Sequence, residues 1–284
     1  MTFLILGATG LQGGAVASHL LNRGERVRIL TRNASSKKAQ ALAARGAQVV
    51  EGNLSVPASL GRAFDQVAGV FSVQDFYSPG VGLAGEIYQG RAVIDAAKKA
   101  GVNHIVQSTM GDGNAMGGPA HFLSKATIEH DLKRSGLNWT LLGTVWFMDN
   151  LLNPKMKPTL MFPVLAGSLR QDTVFNMLAA DDLGWMAAEA LLNPVTWVGK
   201  KMNMAGDAMT VAEMKKVYAD VTGRRAKSWR IPHVLFRRLV PEFAAQLDWH
   251  NRVNFAFRTD EFRSVHQNST DFSGFLRRIR VPLM

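Results

Sequence analysis

His121 and Lys125 stand four apart at the start of a helical stretch, HFLSKATIEHDLKRSG. That spacing puts both side chains on one face of a helix. An ammonium there can hold sugar hydroxyls and lower the pKa of a neighbouring acid. An imidazole can carry a proton near neutral pH. Plainer readings are an i,i+4 surface pair of Lys125 with Glu129 and a helix-start role for His121. The other six histidines show no metal-ligand spacing and the chain has no cysteine. Thiolate catalysis and disulfides are therefore excluded, and no metal site is expected.

A second chemical feature lies in FLILGATGLQGGAVASHLL, residues 3 to 21. Four apolar residues run into Gly7, Gly10, Gly13 and Gly14, and an apolar-periodic segment follows. Gly7 permits a tight turn out of a strand, and Gly10 lets a pyrophosphate approach the backbone. Gly13 or Gly14 lets the helix sit close to the strand. The helix start then offers free N–H groups and a positive dipole end to phosphates.

The type of dinucleotide is read from the second strand. A carboxylate at its end would bind the ribose 2′-hydroxyl of NAD. This chain has ILTRN there, with Thr31, Arg32 and Asn33 and then Lys37 and Lys38. A guanidinium can stack on adenine and hold a 2′-phosphate by two hydrogen bonds. The expectation is NADP(H) in preference to NAD(H), with Arg32 and Lys37 near the phosphate. Asn53 and Leu54 are placed to frame the adenine, and Val73 and Gln74 to lie along the ribose and pyrophosphate. Ser108 and Thr109 end the fifth strand, before the glycine-rich MGDGNAMGGP loop.

These residues must be positioned by a regular array. Strands read at 3–6, 26–30, 47–50, 69–73, 104–108 and 139–143, with helical stretches between them. Gly24, Gly46, Gly69, Gly101 and Gly136 are each read as a helix stop, and Pro57 suits a first helical turn. Such alternation predicts an α/β fold: a Rossmann-type, doubly wound parallel sheet whose ligand lies beyond the strands' C-terminal ends. After residue 150 the rhythm breaks. MFPVLAGSLRQDTVF reads as extended segments with turns. Residues 179–193 read as a helix with Asp181 or Asp182 near its N-cap, and KKMNMAG as a strand. TVAE at 210–213 is a capping box opening a helix that stops at Gly223. The expected division is a dinucleotide-binding domain over 1–150, with 181–205 returning to it, and a smaller α+β lobe over 151–284.

GATGLQGG, Arg32, HFLSKATIE, GLNWTLLGTVWFMDN and AADDLGWMAAEAL together resemble the NmrA-like family, atypical members of the short-chain dehydrogenase/reductase superfamily. The resemblance runs from residue 1 to about 232. It implies NADP binding, with Gly7, Thr9, Gly10, Leu11, Gln12 and Arg32 at the cofactor. It also implies Lys125 at the nicotinamide ribose, and Trp146, Phe147 and Met148 near the nicotinamide. His121 stands where the superfamily's catalytic tyrosine would be. The resemblance therefore leaves two functions open. One is an NADPH-dependent reductase of small quinone-like or aromatic electron-poor acceptors, with a soft wall of Trp146, Phe147, Met148, Met161, Phe162, Phe175 and Met177. The other is a non-catalytic redox sensor that regulates a protein partner.

Composition bounds the rest. The chain has 284 residues, 47% of them hydrophobic, enough for a full core. No signal-like leader and no apolar run of spanning length is evident, so a cytoplasmic protein without a membrane partner is expected. Net charge is +11, and residues 223–284 hold twelve Lys/Arg against five Asp/Glu, scattered among Phe, Trp and Leu. That pattern suits amphipathic helices with a solvated basic face. Without a helix-turn-helix signature, direct nucleic-acid binding is disfavoured. An oligomer is compatible with the sequence.

Overall fold

A computed structural model describes residues 1–112, 118–153, 156–227, 229–254 and 257–279. Residues 113–117 of the expected glycine-rich loop lie outside that set, as does the last part of the basic C-terminal run. The strands are β1 (Thr2–Ile5), β2 (Arg26–Thr31), β3 (Gln48–Glu51), β4 (Gly69–Ser72), β5 (Ile105–Met110), β6 (Trp139–Thr144), β7 (Trp146–Phe147), β8 (Phe175–Leu178), β9 (Lys201–Asn203) and β10 (Asp207–Met209). The helices are α1 (Leu11–Asn22), α2 (Lys37–Ala44), α3 (Gly61–Phe64), α4 (Gly82–Ala100), α5 (Ala120–Lys133), α6 (Pro158–Ser168) and α7 (Ala180–Leu192). They continue with α8 (Pro194–Trp197), α9 (Val211–Thr222), α10 (His233–Leu239), α11 (Pro241–Val253), α12 (Thr259–Val265) and α13 (Phe272–Arg278).

The chain divides into two compact units. Unit 1 comprises residues 1–111, 121–143 and 183–202, and unit 2 comprises 112–120, 144–182 and 203–284. Unit 1 is built on a seven-stranded sheet of order β3-β2-β1-β4-β5-β6-β9. The registers are parallel: Ile5 lies beside Ile29 and Phe71, Thr31 beside Glu51, and Ser72 beside Gln107. The order reverses between β1 and β4, which opens a crevice at the strands' C-terminal ends.

The strands alternate their side chains across the sheet. Leu4, Leu6, Leu30, Val50, Val70, Ile105 and Leu141 join Phe64, Val93, Ala97 and Leu132 in one buried cluster. On α1, Val16, Ala17 and Leu20 are buried. Helix α7 approaches α1 at Gly184, where a Cβ would lie 2.7 Å from the Ala15 carbonyl carbon. Gly69 opens β4 and stops no helix; a Cβ there would meet Leu191 of α7 at 3.0 Å. Pro57 begins a 3-10 turn, Pro57–Ser59, ahead of α3.

Unit 2 carries the three-stranded sheet β10-β8-β7 and a core of Phe162, Leu165, Phe175, Met177, Met214, Leu247, Phe272 and Phe275. Segment 161–175 departs from its extended reading, because residues 158–168 form helix α6. Met161, Phe162, Val164 and Leu165 are all buried there. A helix apolar on every side shows no periodicity in sequence, and Pro163 inside it reads as a breaker. The TVAE capping box forms as expected. Thr210 Oγ1 accepts from the Glu213 N–H at 3.3 Å, and Glu213 Oε2 accepts from the Thr210 N–H at 2.8 Å. The Thr210 N–H bond, and then one from the Thr210 hydroxyl to the same Oε2 at 2.8 Å, hold the Glu213 carboxyl below its ordinary range. At the start of α7, Asp149 supplies the capping oxygen, accepting from the Ala180 N–H at 2.8 Å. Asp182 instead accepts from the Thr270 N–H at 2.8 Å.

His104, just before β5, is buried with Nε2 2.8 Å from Thr140 Oγ1. The Thr140 hydroxyl donates to the Trp197 carbonyl at 2.7 Å, so His104 Nε2–H must be the donor to it. Nδ1 then has no partner. Protonating it would bury an unmatched N–H, and burial lowers the His104 pKa to about 4. Burial lowers that of His250 in unit 2 to about 4 as well. Unfolded histidine titrates near 6.5, so between 6.5 and 4 the unfolded chain binds more protons. Stability therefore falls as pH drops through that window, by up to about 3 kcal/mol per histidine. Thermal melts across this range should show a falling Tm, and His104→Gln should make the decline shallower. A parallel decline in the variant would contradict the assignment.

Candidate functional site

The glycine turn sits at the crevice. Gly7 has φ +64°, and a Cβ there would lie 2.8 Å from Val73 Cγ1. A Cβ at Gly13 would overlap the Leu6 carbonyl oxygen and stand 2.5 Å from the Gly7 carbonyl carbon. Glycine at 13 thus lets α1 ride directly on the end of β1. Gly10 is the helix N-cap in extended conformation, and no side chain caps it. Its N–H donates back to the Gly7 carbonyl at 2.9 Å. The first turn of α1 carries no acid. The leading N–H groups of a helix lack intrahelical acceptors. Gly7, Gly10 and Leu11 are exposed, with Thr9 and Gln12 partly so. An uncapped, acid-free helix start with exposed glycines fits a pyrophosphate.

Beyond β2, Arg32 is 66% exposed in its side chain and reaches Asp75 Oδ2 at 3.6 Å and Ser78 Oγ at 3.3 Å. Ser78 also donates to Asp75. An exposed pair at that distance is weak, so a bound phosphate can compete for the guanidinium. Thr31 Oγ1 turns onto the Asn33 carbonyl at 3.2 Å. Ser36 caps α2 by accepting from the Ala39 N–H, which leaves Lys37 exposed on the first turn.

The neighbouring strand ends converge on the same edge. Asn53 is fixed by its N–H donating to Ser59 Oγ at 2.9 Å, and Leu54 packs partly against the core. The Gln74 side chain is committed inward: its Nε2 donates to Ser72 Oγ at 2.8 Å and its Oε1 accepts from Gln107 Nε2 at 2.9 Å. Only its backbone remains for a ligand. Ser108 Oγ donates to Gln12 Oε1 at 2.6 Å, which ties the first turn of α1 to the end of β5. Thr109 is buried beside Glu129, 3.3 Å away.

Helices α4 and α5 set the His121–Lys125 face. A Cβ at Gly90 would lie 2.5 Å from Ile128 Cγ1, so the two helices meet closely there. One turn earlier on each, Glu86 meets Ser124 and Lys125. Lys125 Nζ donates to Glu86 Oε1 at 2.7 Å, and Ser124 Oγ donates to Glu86 Oε2. Glu86 is fully buried, and Lys125 keeps 13% of its side chain exposed. The plainer reading, a Lys125–Glu129 surface pair, is not what forms: Glu129 holds Lys133 at 2.8 Å and Lys201 at 2.9 Å. His121 is buried, edge-on to Phe122 and Phe76 and tilted against the exposed ring of Tyr77, 5.8 Å between centroids.

Sequence reasoning missed Glu86, Asp75, Ser78 and Tyr77. Glu86 had no signal, because its partners lie 38 and 39 residues away on another helix. Asp75 to Ser78 follow the expected end of β4, where any residue is a candidate for the crevice. All the expected site residues from Gly7 to Lys125 lie in unit 1, whereas Trp146, Phe147 and Met148 lie in unit 2. The soft pocket wall is corrected by burial. Trp146, Met148, Met161, Phe162, Phe175 and Met177 are core, and Trp146 lies tilted against Phe175 with ring centroids 5.3 Å apart. Phe147 alone of the seven keeps partial exposure.

Sheet order, switch point and glycine turn define a Rossmann-type dinucleotide-binding architecture. The match to the NmrA-like family model extends over residues 1–268, and the chain belongs to that family. An NmrA-like family domain-containing oxidoreductase, himF of Aspergillus japonicus, is 30% identical over 247 residues, 78% of this chain and 73% of the relative. Among solved structures, the Citrobacter sp. triphenylmethane reductase complexed with NADP(H) aligns with TM-score 0.83 at 20% identity, covering 99% of this chain and 100% of that one. The NADPH-dependent quinone oxidoreductase QOR2 of Escherichia coli, complexed with NADPH, aligns with TM-score 0.80 at 21% identity over 98% and 99%. NmrA, a negative transcriptional regulator in complex with NADP, aligns with TM-score 0.76 at 20% identity over 98% and 94%. At these identities the structural likenesses speak for the fold.

Removing Lys125 leaves the Glu86 carboxylate buried with only a hydroxyl partner. Lys125→Met should cost about 3–5 kcal/mol, and combining it with Glu86→Gln should recover most of that loss. Urea denaturation measures both. A cost under about 1 kcal/mol for the single variant, the range of exposed pairs, would contradict the buried-pair assignment.

Proposed function

We propose that unit 1 binds NADP(H) and that the protein is an NADPH-dependent reductase of a small electron-poor acceptor such as a quinone. The observation that carries this is the pairing of an uncapped glycine turn with the carboxylate-free, arginine-bearing end of β2. The first supplies N–H donors to a pyrophosphate, and the second supplies a planar cation to a 2′-phosphate. The family's curated oxidoreductases and the reductase names among the structural neighbours support the reading.

In this reading Gly7, Thr9, Gly10, Leu11 and Gln12 hold the pyrophosphate, with the Ser108 hydroxyl fixing Gln12. Arg32 and Lys37 take the 2′-phosphate, and Asn53 and Leu54 frame the adenine. Val73 and the Gln74 backbone run along the ribose, with Ser108 and Thr109 beyond them. Lys125, oriented by Glu86, offers its remaining N–H donors to the nicotinamide ribose. When bound, the reduced nicotinamide supplies a hydride. An electron-poor acceptor that takes a hydride also needs a proton, from His121 or from water. Such an acceptor needs less acid catalysis than a simple ketone, which suits a chain with histidine in place of the superfamily's tyrosine.

That same histidine favours a second reading. His121 is enclosed by Phe76, Tyr77 and Phe122, and a regulator that binds NADP shares the fold. Under this reading the protein senses NADP(H) and acts on a protein partner without turnover. NADPH oxidation with a panel of quinones separates the two. Turnover that His121→Phe slows without loss of NADPH affinity supports the reductase. Tight binding with no turnover on any acceptor supports the sensor.

Arg32→Asp should weaken NADPH binding about 10–100-fold, the worth of a lost charged hydrogen-bond pair. NADH binding should change far less. Equal losses for both nucleotides, measured by calorimetry, would contradict the phosphate assignment.

A further inference from the structure

Helix α10 turns the wrong side chains outward. Phe236 is its buried residue. At 100° per residue, the arc away from Phe236 runs from Val234 through Arg238 to Leu235, and Leu239, 60° from Phe236, is exposed at the helix's last position. Val234 is 61% exposed, Leu235 53% and Leu239 73%. A surface helix ordinarily shows polar residues there. The preceding segment adds Trp229, 51% exposed.

The segment leading into this face and the last turn of α10 are cationic, while toward α11 Asp248 pairs with His233 at 2.9 Å. From residue 221 to 241 the sequence holds Arg224, Arg225, Lys227, Arg230, Arg237 and Arg238 and no Asp or Glu. On α9 of the same unit, the Lys215 ammonium donates to the Lys227 carbonyl at 3.1 Å. Its pKa is lowered by burial and then by the positive charge of Arg230. Outward aliphatic residues, a flanking tryptophan and an unbroken cationic run are the features of a helix that lies in a lipid interface.

We propose that the α10 face, with the segment from Arg224, docks peripherally on an anionic lipid bilayer. Val234, Leu235 and Leu239 enter the headgroup–acyl boundary while the arginines meet lipid phosphates. The charge complementarity selects this occupant. Nucleic acid would use the arginines but leave the three aliphatic side chains exposed, whereas an interface buries both. No described helix is long and apolar enough to cross a membrane, and surface docking requires none.

The test is flotation of the full chain with vesicles of phosphatidylcholine alone and of phosphatidylcholine mixed with phosphatidylglycerol. Binding to the mixed vesicles only is expected, weakened by salt. Leu235→Ser with Leu239→Ser should reduce it about tenfold or more, and Arg237→Gln with Arg238→Gln should reduce it as well. NADPH titration of each variant checks that unit 1 is intact. Failure to float with mixed vesicles would overturn the proposal, as would equal binding to both vesicle types. Retention of full binding by the leucine variant would also overturn it, because the attraction would then be charge alone. Binding to polyuridylate or polyglutamate with none to vesicles would assign the face to nucleic acid or an acidic protein.

Discussion

The contact on which unit 1 depends is the near-touch of helix α1 and strand β1 at Gly13. No side chain fits there, since a Cβ would overlap the Leu6 carbonyl oxygen. That closeness aims the helix start at the crevice where strand order reverses. It also forces the turn at Gly7 into the left-handed region, at φ +64°. The result is a helix terminus whose N–H groups are displayed beside a backbone stripped of side chains. Such a terminus costs stability when nothing caps it and gains when an anion does.

Polar bonds between distant segments keep the neighbouring strand ends in place. Ser108 ties Gln12 to the end of β5, and Gln107 ties Gln74 to β4 and β5. The Glu86–Lys125 pair joins α4 to α5, with the carboxylate fully buried and the ammonium partly exposed. A lysine with a buried carboxylate behind it has a fixed direction, which a surface lysine does not. The same pair therefore serves the helix packing and fixes the direction of the Lys125 ammonium.

Much of unit 1 was legible in sequence because its signals are local. Short apolar runs, glycine stops at 24, 46 and 101 and the glycine turn each act within a few residues. Strand boundaries consequently agree within one or two positions. Signals failed where tertiary contact decided the outcome. Gly69 was read as a helix stop because its role is to admit Leu191 of α7. Helix α6 was hidden by its own uniform apolarity and by Pro163. The methionines and aromatics of unit 2 looked like pocket lining because composition does not distinguish a soft wall from a core. Glu86 could not be paired with Lys125 without knowing that Gly90 brings the two helices together.

The central claim is that backbone N–H groups at the start of α1 receive a dinucleotide's phosphates. Hydrogen–deuterium exchange of residues 9–14, with and without NADPH, measures those groups directly. Marked slowing in this segment on adding the nucleotide is expected, ahead of any change elsewhere in unit 1. Exchange that stays the same at saturating NADPH would contradict the claim.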